Sequence, residues 1–343
     1  MQALVLAGGL GTRLRPLTWT RAKPLVPIGL VPMVLRVLEH LRAYSVTEVI
    51  LATSSENADD LSRALRQSPL PVRIVAEETP QGTAGAAKNA EPLLDDTFLV
   101  ADADVLSDLA LDQLWQFHKE RKAAATIAVV PSPDPSRFGT VLWDAEGRVT
   151  AFLEKVPPAD KALSWVNSGF YIWEKNLLHH IPSKQPSSVE RDLYPELIRQ
   201  QVPLFACRPT HSYWRDVGVL EDYCQIHWDL LTGQAPFPLP VQKIQESVWA
   251  GQTHISPAAE IRPPVVVGDD SSIAAGATVG PFVVIGPGCT IKEKAFLERT
   301  ILWEECTVGE KALVKNCVLA SRCQVLPGAH LVDRVSEGGR VLG

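Results

Sequence analysis

Gly8, Gly9 and Gly11, followed by Thr12, Arg13, Arg15, Arg21 and Lys23, are residue types suited to holding phosphate. Glycine lets backbone N–H groups approach a ligand because no Cβ stands in the way. Consecutive N–H groups in such a turn form an anion nest. Thr12 adds a hydroxyl donor, and the cations add charge, so the stretch reads as a polyphosphate cradle. A tight turn among solvated basic residues would share these features. The ATPase P-loop is excluded, because its GK[ST] ending is missing. A second set is acidic. Asp102 and Asp104 are two apart, so in an extended segment both point to one side. There they suit Mg²⁺ carried on substrate phosphates, although strand-end turns also favour aspartate. Glu77 precedes Gly82 and Thr83 in EETPQGTAGA. Its carboxylate matches the paired N–H donors on the Watson–Crick edge of guanine and would face an acceptor in adenine. The GTAG stretch by itself also reads as a capped helix start.

These residues need a scaffold that brings loop ends together. Residues 3–7 (ALVLA) are apolar and β-prone, and they run straight into the glycines. EVILAT (48–53), VRIVA (72–76) and TFLVAD (97–102) repeat the strand pattern, while 32–44, 57–67 and 84–93 have helical spacing. This alternation predicts a parallel sheet with helices on both faces. Ligands in such sheets sit at the carboxyl ends of the strands.

The string GGLGTRLRPLT followed by AKPLVPIG resembles the signature of the sugar-1-phosphate nucleotidyltransferases, also called sugar-nucleotide pyrophosphorylases. Further pieces follow in that family's order: PQGTAGA, ADAD, RFGTV, FLEKVP, VNSGFYIW, SSVERDLYPELI and YWRDVG. The resemblance covers about residues 1–225. It implies an α/β fold with a Rossmann-like, mostly parallel sheet. It also implies direct in-line transfer from a nucleoside triphosphate to a sugar 1-phosphate, with Mg²⁺. By the same resemblance the nucleotide contacts are Leu6, Ala7, Gly8, Gly9, Gly11, Thr12, Arg13, Glu77, Pro80, Gly82 and Thr83. The sugar phosphate falls to Gly139, Glu154, Lys155 and Asn167. The metal falls to Asp104 and Asp216, and catalysis to these two with Arg13 and Lys23. Asp102 stands where the family often has Asn. SSVERDLYPELI is similar to the GDP-mannose branch, whereas Ala22 and YWRDVG are typical of the ADP-glucose branch. GTP with mannose 1-phosphate is the expected pair. ADP-glucose-forming and UDP- or dTDP-sugar-forming enzymes are the alternatives, and a non-catalytic homologue would be expected to have lost the cations or metal carboxylates.

Past a linker at 226–250, a period of six appears: Ile255, Ile261, Val267, Ile273, Val279, Ile285, Ile291 and Leu297. This is the hexapeptide signature of a left-handed parallel β-helix over 251–343. The register slips near Leu302 and Leu319, which suggests a looped or shortened coil. The expected role is homo-oligomer assembly. An acyltransferase would need a general-base histidine, and His254 and His330 sit in no recognisable acyltransferase motif. The 343 residues carry a net charge of −6, which argues against a nucleic-acid partner. The six cysteines form no C-x-x-C pair, as in a reduced cytoplasmic protein. No apolar run is long enough to span a bilayer, so no membrane partner is expected.

Overall fold

A computed structural model describes residues 1–154 and 164–343. The chain forms two compact units, one of Met1–Gly9 with Val34–Asp216, the other of Leu10–Met33 with Val217–Gly343.

The first unit is built on a mixed sheet of nine strands. Its parallel part comprises β1 (Gln2–Leu6), β2 (Glu48–Ser54), β3 (Val72–Glu77) and β4 (Thr97–Asp102). Strand β1 runs between β4 and β2, and β3 lies outside β2. Its Ala3, Leu4 and Val5 are fully buried, as a strand covered on both faces requires. Between the strands run α1 (Met33–Ala43), α2 (Ser55–Ala64) and α3 (Gly82–Ala90). Helix α3 packs its alanines 84, 87 and 90 against Leu4, Ile50 and Phe98.

The chain then departs from a wholly parallel pattern. After the short β5 (Val105–Ser107) and α4 (Leu111–Arg121) come β6 (Ala125–Ser132), β7 (Gly139–Trp143) and β8 (Val149–Glu154). The 11-residue β9 (Ser164–Glu174) runs antiparallel to β4, β6 and β7. Its register against β6 breaks between Asn167 and Tyr171, at Gly169 with φ +80°. Val166 pairs with β7 before this bulge, and Phe170 pairs with β4 after it. The bulge therefore lets one strand serve two neighbours. Strand β10 (Leu204–Cys207) lies parallel to β6, and β11 (Trp214–Asp216) pairs antiparallel with β5.

The second unit holds α6 (Leu220–Leu231), which follows the short α5 (Tyr194–Arg199) of the first unit, and a β-helix. Short parallel strands stack coil on coil into three sheets. Ile273 stacks on Ile291, and Ile291 on Val308; Val279 stacks on Leu297, and Leu297 on Val314. These inward aliphatics form one buried core. The shift in period has a simple origin. Six residues separate Val279 from Ile285, but five separate Leu297 from Leu302, Val314 from Leu319 and Leu331 from Ser336. The same corner is shortened in successive coils. It turns through Arg299, Asn316 and Asp333 at φ 46°, 51° and 53°. All six cysteines are free thiols. Among the described residues, no helix is long and apolar enough to cross a membrane.

Candidate active site

Three of the four parallel strands deliver candidate residues to one sheet edge. Leu6 pairs with Ala52 on one side and Asp102 on the other, and Glu77 pairs with Ser54. Thus Ala7, Glu77 and Asp102 all sit at carboxyl ends. The β1 end is pinned: Ala7 donates its N–H to Ala52 O at 2.8 Å, Ala103 donates to Leu6 O at 3.0 Å, and the Thr53 hydroxyl donates to Ala7 O at 3.3 Å. Gly8 and Gly9 follow, both exposed. A Cβ placed on either would meet nothing within 4 Å, and neither has a positive φ. The fold itself demands no glycine there. A methyl at either position would occupy the open space beyond the end of β1.

The carboxylates assemble by strand pairing. Asp216 lies opposite Val105 in the β5–β11 ladder, one residue from Asp104. The indole N–H of Trp214 donates to Ser168 O at 2.9 Å and ties this ladder to the β9 bulge. At the bulge, a Cβ on Gly169 would lie 2.8 Å from Asp102 Oδ2 and 2.9 Å from Val105 Cγ2. Gly169 therefore makes the room in which Asp102 and Val105 sit. Sequence reasoning passed over this residue, though it stands inside VNSGFYIW. Among the described residues no group of three or more His, Cys, Asp or Glu is placed to hold a metal. Two neighbouring carboxylates nevertheless fit Mg²⁺, which takes one or two carboxylates and completes its shell with phosphates and water.

Other expected contacts prove to be engaged within the protein. The Thr83 hydroxyl accepts the Val189 N–H at 2.9 Å and donates to Glu190 Oε2 at 3.3 Å. Ala84 and Gly85 donate their N–H groups to Ser187 O at 3.0 and 3.2 Å. Gly82, at φ +74°, would place a Cβ 2.5 Å from the same oxygen. The start of α3 is thus capped by the 187–190 segment. Glu77 is buried; its Oε1 accepts from Asn89 at 2.6 Å and its Oε2 from Gln81 N–H at 3.4 Å. Pro80 in the same loop is exposed.

Of the residues expected to meet the sugar, Glu154 pairs with Gly139 across β7 and β8. A Cβ on Gly139 would lie 2.4 Å from the Phe152 ring and 3.4 Å from Glu154 Oε2, so packing already requires this glycine. Asn167 donates to the Tyr171 hydroxyl at 2.6 Å and accepts from Gly169 N–H at 3.0 Å. Its amide orients the bulge. Glu190, in the SSVERDL segment, also accepts from the Ser188 hydroxyl at 2.7 Å. Lys155 lies outside the described residues.

The segment carrying Gly11, Thr12, Arg13 and Lys23 belongs to the second unit. Gly11 has φ +61°, and a Cβ there would lie 3.0 Å from both Lys23 Cβ and Thr18 Cγ2. The Thr18 hydroxyl donates to Gly11 O at 2.8 Å. The loop folds on itself, burying Lys23 while Thr12 and Arg13 stay exposed. Arg21, counted among the phosphate cations from sequence, pairs instead with Glu304.

An open glycine turn at the end of β1 and carboxylates at the ends of β4 and β11 are compatible with a phosphate-transferring α/β enzyme. Residues 2–233 match the model of the Nucleotidyl transferase family, and this chain belongs to that family. Residues 261–342 match the GMPPB C-terminal domain. The chain is 36% identical to the mannose-1-phosphate guanylyltransferase of Mycobacterium tuberculosis, over 85% of this chain and 83% of that one. It is 30% identical to the UTP--glucose-1-phosphate uridylyltransferase of Synechocystis sp., over 98% of this chain and 87% of that one. Among solved structures, HddC from Yersinia pseudotuberculosis complexed with GMP-PN superposes with a TM-score of 0.58 and 28% identity, covering 66% of this chain and 97% of HddC. The chain is a nucleotidyltransferase resembling the mannose-1-phosphate guanylyltransferases, and its family implies a nucleoside triphosphate and a sugar 1-phosphate as substrates.

Proposed function

We propose that this chain transfers the guanylyl group of GTP to mannose 1-phosphate, giving GDP-mannose and pyrophosphate. The observation that carries this reading is its 36% identity, across 85% of the chain, to an enzyme of that name. The similarity to a structure bearing GMP-PN supports the base. A sugar-phosphate oxygen attacks the α-phosphorus in line. The bond to the β-phosphate oxygen breaks, and pyrophosphate leaves with that electron pair. A phosphate monoester is already ionised at pH 7, so no general base is needed, and catalysis is positioning and charge stabilisation. In this reading the N–H groups at Gly8, Gly9, Gly11 and Thr12 hold the triphosphate, with Leu6 and Ala7 beside the nucleoside. Arg13 stabilises the leaving pyrophosphate and Lys23 the α-phosphate. Lys155 holds the sugar phosphate, and Glu154 the sugar hydroxyls. Asp104 and Asp216 would hold Mg²⁺, which when bound offsets the repulsion between the two phosphates. Each Glu77 oxygen keeps a lone pair beyond its protein bond, enough for the two N–H donors of guanine.

A second reading, uridylyl transfer to glucose 1-phosphate, is favoured by the Synechocystis relative, whose match spans 98% of this chain. The deciding experiment is a matrix of four nucleoside triphosphates against mannose, glucose and N-acetylglucosamine 1-phosphates, read as pyrophosphate release. GTP with mannose 1-phosphate is expected to give the highest kcat/KM. ATP or UTP used at least as well as GTP would overturn the proposal.

A further inference from the structure

Arg21 was expected to face phosphate, but its side chain is directed elsewhere. Its two terminal nitrogens donate to both oxygens of Glu304, one of them at 3.3 Å, and Nη2 also donates to the Ser321 hydroxyl at 3.0 Å. Its guanidinium carbon lies 4.7 Å from the centre of the Trp303 ring. Glu304 follows the β-helix strand Thr300–Leu302, and Ser321 follows Val318–Leu319 on the next coil. One arginine thus spans two coils with a planar fork, a geometry lysine does not reproduce. Burial works to raise the Glu304 carboxyl, but the hydrogen bond and charge of Arg21 outweigh it and hold the group below the usual carboxylate range.

A second anchor holds the same loop on the other side of Lys23. The buried Trp303 donates its indole N–H to the Tyr223 hydroxyl at 2.8 Å, and that hydroxyl donates to Pro27 O at 3.0 Å. Arg21 and Pro27 bracket Lys23, and both trace to one β-helix corner, Trp303–Glu304. All of these groups lie within the second unit.

From this bracket we infer that Arg21 is a positioning residue, and that the β-helix sets the loop carrying Arg13 and Lys23 in its working conformation. The repeats then serve nucleotide binding as well as any assembly. The inference rests on the proposed reading of Lys23 and Arg13 as phosphate ligands.

The test uses the full chain and the substrate pair it turns over best. Glu304→Gln, Arg21→Lys and Tyr223→Phe are compared with Lys23→Ala in steady-state kinetics, alongside thermal unfolding. Misplacement of the loop should raise KM for the nucleotide or lower kcat by about 10- to 100-fold. KM for the sugar 1-phosphate should stay within about twofold. Loss of the charged acceptor in Glu304→Gln should cost more than Arg21→Lys, which keeps one charge. If Lys23→Ala is crippled while Glu304→Gln and Tyr223→Phe lower only the melting temperature, the bracket is merely structural and the inference falls. If Lys23→Ala itself turns over normally, the reading of the loop as a phosphate ligand falls, and the inference with it.

Discussion

Replacing Gly169 with alanine tests the link between the β9 bulge and the carboxylates. Gly169 has φ +80°, where an L residue costs about 1–2 kcal/mol. The new methyl would also lie 2.8 Å from Asp102 Oδ2 and 2.9 Å from Val105 Cγ2. The backbones of both neighbours are pinned, Asp102 at the end of a central strand paired with β1 and Val105 in the ladder that carries Asp216, so their side chains or the strand must shift. Overpacking of this kind costs about 1–3 kcal/mol. The total is about 2–5 kcal/mol, or roughly 5–15 °C in the melting temperature of the unit. Relief must come from a shift of Asp102 or of the strand beginning beside Asp104, so turnover should fall by about 100-fold. Differential scanning calorimetry and pyrophosphate release measure the two effects. Gly8→Ala is the contrasting control. Its methyl meets nothing, so stability should change by less than about 0.5 kcal/mol while the nucleotide KM rises. A Gly169→Ala protein that melts and turns over like the parent would refute the account of the bulge.

Asp104→Asn and Asp216→Asn should each remove several kcal/mol of transition-state stabilisation, as expected for a lost metal contact; parental turnover by both at low Mg²⁺ would dismiss the pairing. Burial pushes His40 down from 6.5 to about 4, against the opposing charge of Asp108. The unfolded chain takes up this proton first, so the contribution is complete above pH 6.5 and is lost as the pH falls towards 4. Denaturant unfolding between pH 7.5 and 4 should show a decline of at most about 3 kcal/mol from this group, and His40→Gln should flatten it. An unchanged slope in the variant would assign the acid sensitivity to other groups.

Local chemistry was legible in the linear chain. The glycine turn, the strand–helix alternation and the six-residue period each depend on neighbours a few positions apart, so side-chain type and spacing announce them directly. The shortened β-helix corner was visible as slips at Leu302 and Leu319, although its third occurrence, at Ser336, needed the coil register. Partnerships between distant segments were less accessible. GTAG reads as a ligand loop or a capped helix, and only packing against the 187–190 segment shows that the Ala84 and Gly85 N–H groups and the Thr83 hydroxyl are engaged. Nothing local distinguishes Arg21 from Arg13, since both are cations in one loop. Their separation is made by Glu304, Ser321 and Trp303 on stacked coils. Asp216 entered the metal pair by resemblance, whereas its place beside Asp104 is set by an antiparallel ladder between segments far apart in sequence. The sequence by itself determined the class of fold, the glycine-rich turn and the repeat. The tertiary structure decided which polar groups face one another, because that depends on strand order, on the bulge at Gly169 and on coil register. These are fixed by burying apolar surface over the whole molecule, and no single window of the chain contains that information.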